Sequence, residues 1–193
     1  MLLAALLAGA WLVAHGGRPI LIIGACAIVA ALAYSAGPFP LASRGFGEVL
    51  VFAFFGFAAV GGTHHLQGAS FDWTVALAAY PIGALAAAII VVNNLRDIDT
   101  DRRAGKQTLA VRLGVRRTRM EYSWLVLSAL LSILALAAAV SPGTLIALLA
   151  IAPAMYQIEC IWQRHGVELN LSLVGTARLH ALVGVLIAVG LCV

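Results

Sequence analysis

Thr74–Val92, TVALAAYPIGALAAAIIVV, runs without a break into Asn93–Gly114, NNLRDIDTDRRAGKQTLAVRLG. The first part is long and apolar enough to cross a bilayer as a helix, which takes about 20 residues. The second part carries a dense set of charges. A helix that changes from wholly apolar to strongly charged within one turn belongs at a membrane surface. The rest of the chain agrees. Of its 193 residues, 63% are hydrophobic and only 10% charged, and the mean hydropathy is +1.02. Such a chain cannot cover a water-facing surface with polar groups. Lipid is its solvent, and the fold class is an all-α, polytopic transmembrane helix bundle.

Hydropathy predicts seven spans, at 1–14, 20–36, 48–66, 74–94, 121–140, 143–162 and 177–193. The first is short but lacks the basic start of a signal peptide. His15-Gly16-Gly17-Arg18-Pro19 separates the first two spans, and Gly37-Pro38-Phe39-Pro40 ends the second, since proline cannot continue a helix. Ser141-Pro142-Gly143 predicts a tight turn. Trp11, Trp73, Trp124 and Trp162 fall near span ends, where amphipathic rings prefer to lie. Cys26, Cys160 and Cys192 sit in apolar runs with no metal-type spacing and read as small buried hydrophobes.

The net charge of +4 is concentrated rather than spread. Eight of the twelve Lys and Arg residues lie between Arg96 and Arg119. A single basic loop is what the positive-inside rule expects, and it argues against a nucleic-acid surface. Placing 95–120 in the cytoplasm also brings Arg44, Arg164 and Arg178 to that side. Only Arg18 is left outside. Seven spans then put the N-terminus in the cytoplasm and the C-terminus outside, at the cell membrane.

Within the charged run, Asn93, Asp97 and Asp101 recur at i, i+4 and i+8. On a continuing helix they stack on one face, and Asp99 points away. Two carboxylates and an amide oxygen form a sparse set of hard ligands. That suits Mg²⁺, which binds through one or two carboxylates together with substrate phosphates. Arg96, Arg102, Arg103, Lys106 and Arg112 crowd the same place and could hold an anion. The combination predicts a metal-bridged phosphate head group with its apolar tail among the helices. The plainer alternative is ordinary charge at a helix end. His64-His65 reads as an interfacial anchor, because adjacent residues do not share a helix face. Glu159 can snorkel or pair with Arg164.

NNLRDIDTDRRAGKQTLAVRLG closely resembles the second aspartate-rich motif of UbiA-type intramembrane prenyltransferases. Among them it looks most like the 1,4-dihydroxy-2-naphthoate polyprenyltransferase branch. YSAGPFPLASRGFGEVLVFAFFGFAAVGGT, Tyr34–Thr63, is similar to the same branch. The resemblance implies a helix bundle around a central cavity, using Mg²⁺ to hold a polyprenyl diphosphate. Ionisation gives an allylic carbocation that alkylates the aromatic acceptor. In this branch the acceptor is 1,4-dihydroxy-2-naphthoate, which loses CO₂ on the way to menaquinone. The resemblance makes Asp97 and Asp101 catalytic, and assigns the metal to them with Asn93. It assigns the diphosphate to Asn93, Asn94, Arg96, Lys106, Arg44 and Tyr34, the tyrosine at the cavity mouth. Other acceptors, such as 4-hydroxybenzoate or haem, stay open. So does a non-catalytic scaffold or transport subunit.

The family also has a first aspartate-rich motif on an earlier loop. Here no aspartate precedes Asp72, and Glu48 is the only earlier acid. The chain therefore reads as one transmembrane domain, 1–193, truncated at its N-terminus relative to the family. A separate chain carrying the missing motif is the expected partner, and this chain alone is expected to be inactive.

Overall fold

The computed structural model describes residues 2–35, 40–68 and 70–193. Among them every regular element is helical. The order is α1 (Leu2–Ser35), a 3-10 turn (Ala42–Arg44), α2 (Gly47–Val51), a π-helical stretch (Phe52–Ala58) and α3 (Ala59–Leu66). Then come α4 (Trp73–Arg96), α5 (Ile98–Arg103), α6 (Leu109–Ala139), a 3-10 stretch (Pro142–Ala150), α7 (Ile151–Gln163), a 3-10 turn (Gly166–Glu168) and α8 (Leu169–Leu191). The expected all-α membrane bundle is what the chain forms. The expected break at Gly37–Phe39 lies outside the described residues.

Among the described residues, six helical stretches are long and apolar enough to cross a membrane: Leu3–Ser35, Gly47–Leu66, Trp73–Arg96, Leu109–Ala139, Pro142–Gln163 and Gly166–Leu191. The count differs from seven because α1 contains both of the first two expected spans. Gly17 divides it, with φ 65° and ψ −151°, a conformation open to glycine. Val13 and Leu21, Gly9 and Gly24, and Leu6 and Ile28 line one cavity. The halves 2–16 and 18–35 therefore face one space, with the chain folded at Gly17. Pro19 fits at the start of the second half, where its missing N–H costs nothing. That half runs antiparallel to α2 and α3. His65 Nε2 meets the Gly16 carbonyl at 3.1 Å at one end, and Tyr34 lies beside Gly47 at the other.

α4 is the hub. It packs against α2, the π-helical stretch, α6 and α8. Asp72 caps its N-terminus, the Oδ1 atom accepting from the Thr74 and Val75 amides at 2.9 and 3.1 Å. Ala79, Ala84, Ala88, Val91 and Val92 are fully buried. In lipid, moving such side chains from tails to protein gains little hydrophobic free energy, so close backbone approach carries the packing. α4 comes close to the π-helical stretch where Gly83 meets Gly56. A methyl group on Gly83 would stand 2.7 Å from the Phe52 carbonyl oxygen, and one on Gly56 2.7 Å from the Gly83 Cα.

Two span boundaries differ from expectation. α6 begins at Leu109 and bends at Gly114 (φ 77°) instead of starting near 121. α8 begins at Leu169 instead of 177. In both, polar residues that lower the hydropathy find partners inside the protein. Tyr122 Oη and Thr176 Oγ1 share a hydrogen bond of 2.8 Å, and Arg164 Nη1 donates to Ser172 Oγ at 3.0 Å. Arg178 consequently lies well inside α8 and not at its start. Glu159 accepts from Gln163 at 2.8 Å and leaves Arg164 to Ser172.

Replacing Gly83 with leucine should force α4 away from the π-helical stretch. The expected loss is about 1–3 kcal/mol or more, read as a lowered midpoint of denaturant-induced unfolding in mixed micelles. Gly9→Leu, in open space, should change the midpoint little. Equal midpoints for G83L and the unmodified chain would remove the close crossing from this account.

Candidate functional site

The end of α4 keeps the predicted stripe in register. The Asp97 amide donates to the Asn93 carbonyl at 3.1 Å, and the Asp101 amide to the Asp97 carbonyl at 2.8 Å. The i→i−4 ladder therefore runs through Asp97, although its backbone (φ −95°, ψ 7°) separates α4 from α5. Asn93, Asp97 and Asp101 stack on successive turns, as their spacing requires.

Arg96 organises the upper two. Its Nε and Nη2 atoms donate to Oδ1 and Oδ2 of Asp97 at 2.8 and 2.7 Å, a bidentate pair. Nη2 also donates to Asn93 Oδ1 at 2.8 Å, and Nη1 to Asn170 Oδ1 at 2.8 Å. One guanidinium thus binds the end of α4 to the start of α8. The Arg96 hydrogen bonds hold the Asp97 carboxyl below its ordinary range, with the Arg96 and Lys106 charges adding to the effect.

Lys106 organises the third. Gly105, with φ 73°, turns the chain back, and the Lys106 amide donates to the Asp101 carbonyl at 3.0 Å. The ammonium then reaches Asp101 Oδ1 at 2.7 Å. Asp101 is 7% exposed. Its carboxylate raises the pKa of Lys106, through the hydrogen bond first. Asp99, by contrast, lies exposed with Arg102 at 3.3 Å, a surface pair of small energetic weight.

The remaining predicted residues separate from this group. Asn94, next to Asn93, faces another helix and donates to Glu48 Oε1 at 2.7 Å. Tyr34 lines a cavity of about 630 Å³ together with Ile23, Leu50, Phe54 and Ile90. Arg44 ends the 3-10 turn whose Ser43 carbonyl accepts from the Gln107 amide at 2.7 Å, so its loop lies against the one that carries Lys106. Asn170 and Glu48 were not foreseen. For Glu48 one signal was present, an isolated acid in an apolar run. For Asn170 there was none.

The donor set matches a hard divalent cation in part. Two carboxylates and an amide oxygen stand on one face, and Mg²⁺ binds through one or two carboxylates with phosphate and water completing its shell. Among the described residues no group of three or more His, Cys, Asp or Glu could hold a metal alone. The residues fit one side of a metal–phosphate site, with Arg96 and Lys106 balancing the carboxylates in the meantime.

A family profile described as "UbiA prenyltransferase family" matches residues 1–191. A protein of Mycobacterium tuberculosis named 1,4-dihydroxy-2-naphthoate octaprenyltransferase is 48% identical over 124 residues, 64% of this chain and 40% of that protein. One of the same name from Haemophilus influenzae is 46% identical over 117 residues, 61% and 38% of the two chains. In Bacillus subtilis the likeness extends over 192 residues at 26% identity, 98% of this chain and 62% of the relative. The matched segments thus cover about two fifths of the first two relatives.

The Arg96–Asp97 pair has a pH signature. A carboxyl depressed on folding contributes stability that is complete above its unfolded pKa of about 4 and is lost as pH falls through the depressed value. Arg96→Gln should therefore move the Asp97 titration upward, toward the ordinary carboxylate range. Carbon-13 NMR of the labelled protein in micelles would follow it, and an unmoved midpoint would contradict the assignment.

Proposed function

Because the chain belongs to the UbiA prenyltransferase family, we propose that it carries the diphosphate-binding part of a 1,4-dihydroxy-2-naphthoate polyprenyltransferase. The reaction is Mg²⁺-dependent transfer of a polyprenyl group from its diphosphate, with loss of CO₂ from the ring, in menaquinone synthesis. The setting is the cell membrane, with the 95–120 loop on the cytoplasmic side.

One observation carries this proposal. Asn93, Asp97 and Asp101 stand turn over turn at the end of the hub helix, each acid held by a cation. The leaving diphosphate gains charge as its bond to the prenyl carbon breaks. When bound, Mg²⁺ supplies neutralisation of that charge. Asn93, Asp97 and Asp101 would hold it. Arg96 and Lys106 are then free to turn from carboxylates to diphosphate oxygens, which they can approach without leaving the site. Donors already in place cost little reorganisation at the moment of ionisation. The apolar cavity lined by Tyr34 and Phe54 would shelter the carbocation from capture by water.

In the complete protein that carries these residues, Asp97→Ala or Asp101→Ala should lower Mg²⁺-dependent prenyl transfer by about 10²-fold or more. Membrane insertion should be unchanged. The assay uses membranes supplied with polyprenyl diphosphate and 1,4-dihydroxy-2-naphthoate, with product followed by mass. Full activity in both variants would end the assignment.

A further inference from the structure

The bare face of α6 is ordered along its length. Arg117, Trp124 and Leu131 recur every seven residues. A helix completes almost two turns in seven residues, so the three share one side. Trp124 is 66% exposed and Leu131 63%. Arg116 and Arg117 are exposed at the head of this face, past the bend at Gly114 that separates them from Arg112. They lie at the same end of the bundle as the aspartate stripe, since α4 ends at Arg96 and α6 begins at Leu109.

These two arginines have no partner in the protein. Arg96, Arg102 and Lys106 pair with aspartates, but Arg116 and Arg117 make no ion pair or hydrogen bond among the described residues. Glu121 stands one turn beyond Arg117, yet the two do not pair, and its Oε2 atom is buried. On the flank, α7 is held against α6 at this level. Arg119 Nη2 donates to the Arg164 carbonyl at 3.0 Å, and Trp162 Nε1 to Ser123 Oγ at 3.2 Å. Glu159, the exposed acid of that flank, is taken up by the Gln163 amide at 2.8 Å.

The other end of the face borders a cavity of about 600 Å³. Leu131 and Ser128 line it with Phe57, Trp73, Leu77 and Tyr80. The Ser128 hydroxyl donates to the Leu125 carbonyl at 3.0 Å, so the cavity presents mainly hydrocarbon and rings. From Arg117 to Leu131 the helix rises about 21 Å. That is more than half of the hydrocarbon core, which is about 30 Å thick. Trp124 lies between, where an indole marks the border of head groups and tails.

A ligand that meets the whole face needs an anion at one end and a leaflet's length of hydrocarbon at the other. Inorganic phosphate fits the head alone. A zwitterionic lipid brings an ammonium toward the arginines together with its phosphate. A prenyl diphosphate has suitable ends, but no α6 residue lines the cavity beside Tyr34, so this face is a separate surface. An anionic phospholipid meets every requirement, since basic residues at a membrane surface attract its head group.

We infer that the α6 face carrying Arg117, Trp124 and Leu131 binds one anionic phospholipid, its phosphate at Arg116 and Arg117 and an acyl chain running past Trp124 to the cavity at Leu131. The site stands apart from the proposed prenyl transfer and uses none of its residues.

The test is fluorescence quenching in phosphatidylcholine nanodiscs that hold the full-length protein and a minor fraction of lipid brominated on its acyl chains. Bromine quenches an indole only at close range. Brominated phosphatidylglycerol should quench at a mole fraction about tenfold lower than brominated phosphatidylcholine, because each arginine favours the anionic head group. Trp124→Phe should remove most of that quenching. In the double variant Arg116→Gln with Arg117→Gln, the two lipids should quench within about twofold of each other. Arg116→Lys with Arg117→Lys keeps both charges and should keep the preference, which separates lost charge from lost structure. Equal quenching by the two lipids in the unmodified protein overturns the inference. So does a preference that survives the glutamine pair or is lost in the lysine pair, and so does quenching that Trp124→Phe leaves intact. Relief of quenching by added inorganic phosphate would mark a site for a free anion, and relief by geranylgeranyl diphosphate would give the face to that substrate. Either result also overturns the inference, and all of them leave the proposed function standing.

Discussion

One guanidinium holds the loop end of the hub helix together. Arg96 makes four hydrogen bonds through three nitrogens: two to Asp97, one to Asn93 and one to Asn170. Without it, the carboxylate of Asp97 and the amide of Asn93 would face each other at a helix end with no compensating charge. With it, α4, the Asp97 junction and the start of α8 form one polar unit at the edge of an apolar bundle. Charged hydrogen bonds of this kind are shorter and stronger than neutral ones, and the bidentate geometry fixes orientation as well as distance. Lys106 performs the same task for Asp101 from the other side of a glycine turn. The two ion pairs keep a stripe of acids in place that would otherwise repel one another.

This polar unit needs a rigid support, and α4 supplies it. Lipid offers no hydrophobic reward for helix association, so small residues and close backbone contacts must carry it. Gly83 meets Gly56 at one such contact, within the π-helical stretch, and Gly143 meets Gly190 at another. The remaining polar groups inside the bundle follow the same economy. Tyr122 and Thr176, both fully buried, pair across helices, and Arg164 pairs with Ser172 at the end of α7.

The legible parts of the fold are those that local chemistry dictates. The apolar runs declare themselves because the bilayer demands them, and Gly17 and Pro142 mark turns by their own backbone preferences. The Asn93-Asp97-Asp101 stripe follows from helical spacing alone, and the structure keeps it. What spacing does not reveal is the pairing between distant residues. Ser172 and Thr176 lower the hydropathy of the last span, and only Arg164 and Tyr122 explain why they are helical and buried. Asn94 could not be separated from Asn93 by spacing, because its partner Glu48 lies 46 residues away. Asn170 meets Arg96 across 74 residues. The two halves of α1 are adjacent because Gly17 reverses the chain, which hydropathy places but does not orient.

The account's central claim is that the Asn93-Asp97-Asp101 face holds a divalent cation together with a prenyl diphosphate. Pulsed electron paramagnetic resonance with Mn²⁺ in place of Mg²⁺ addresses it directly. In the presence of a non-ionisable prenyl diphosphate analogue, the bound Mn²⁺ should show coupling to phosphorus-31, together with coupling to carbon-13 placed in the aspartate carboxyls. Replacing both Asp97 and Asp101 by asparagine should remove both couplings. Phosphorus coupling that persists unchanged in that double variant, with no carboxyl coupling in the unmodified protein, would place the metal elsewhere and contradict the account.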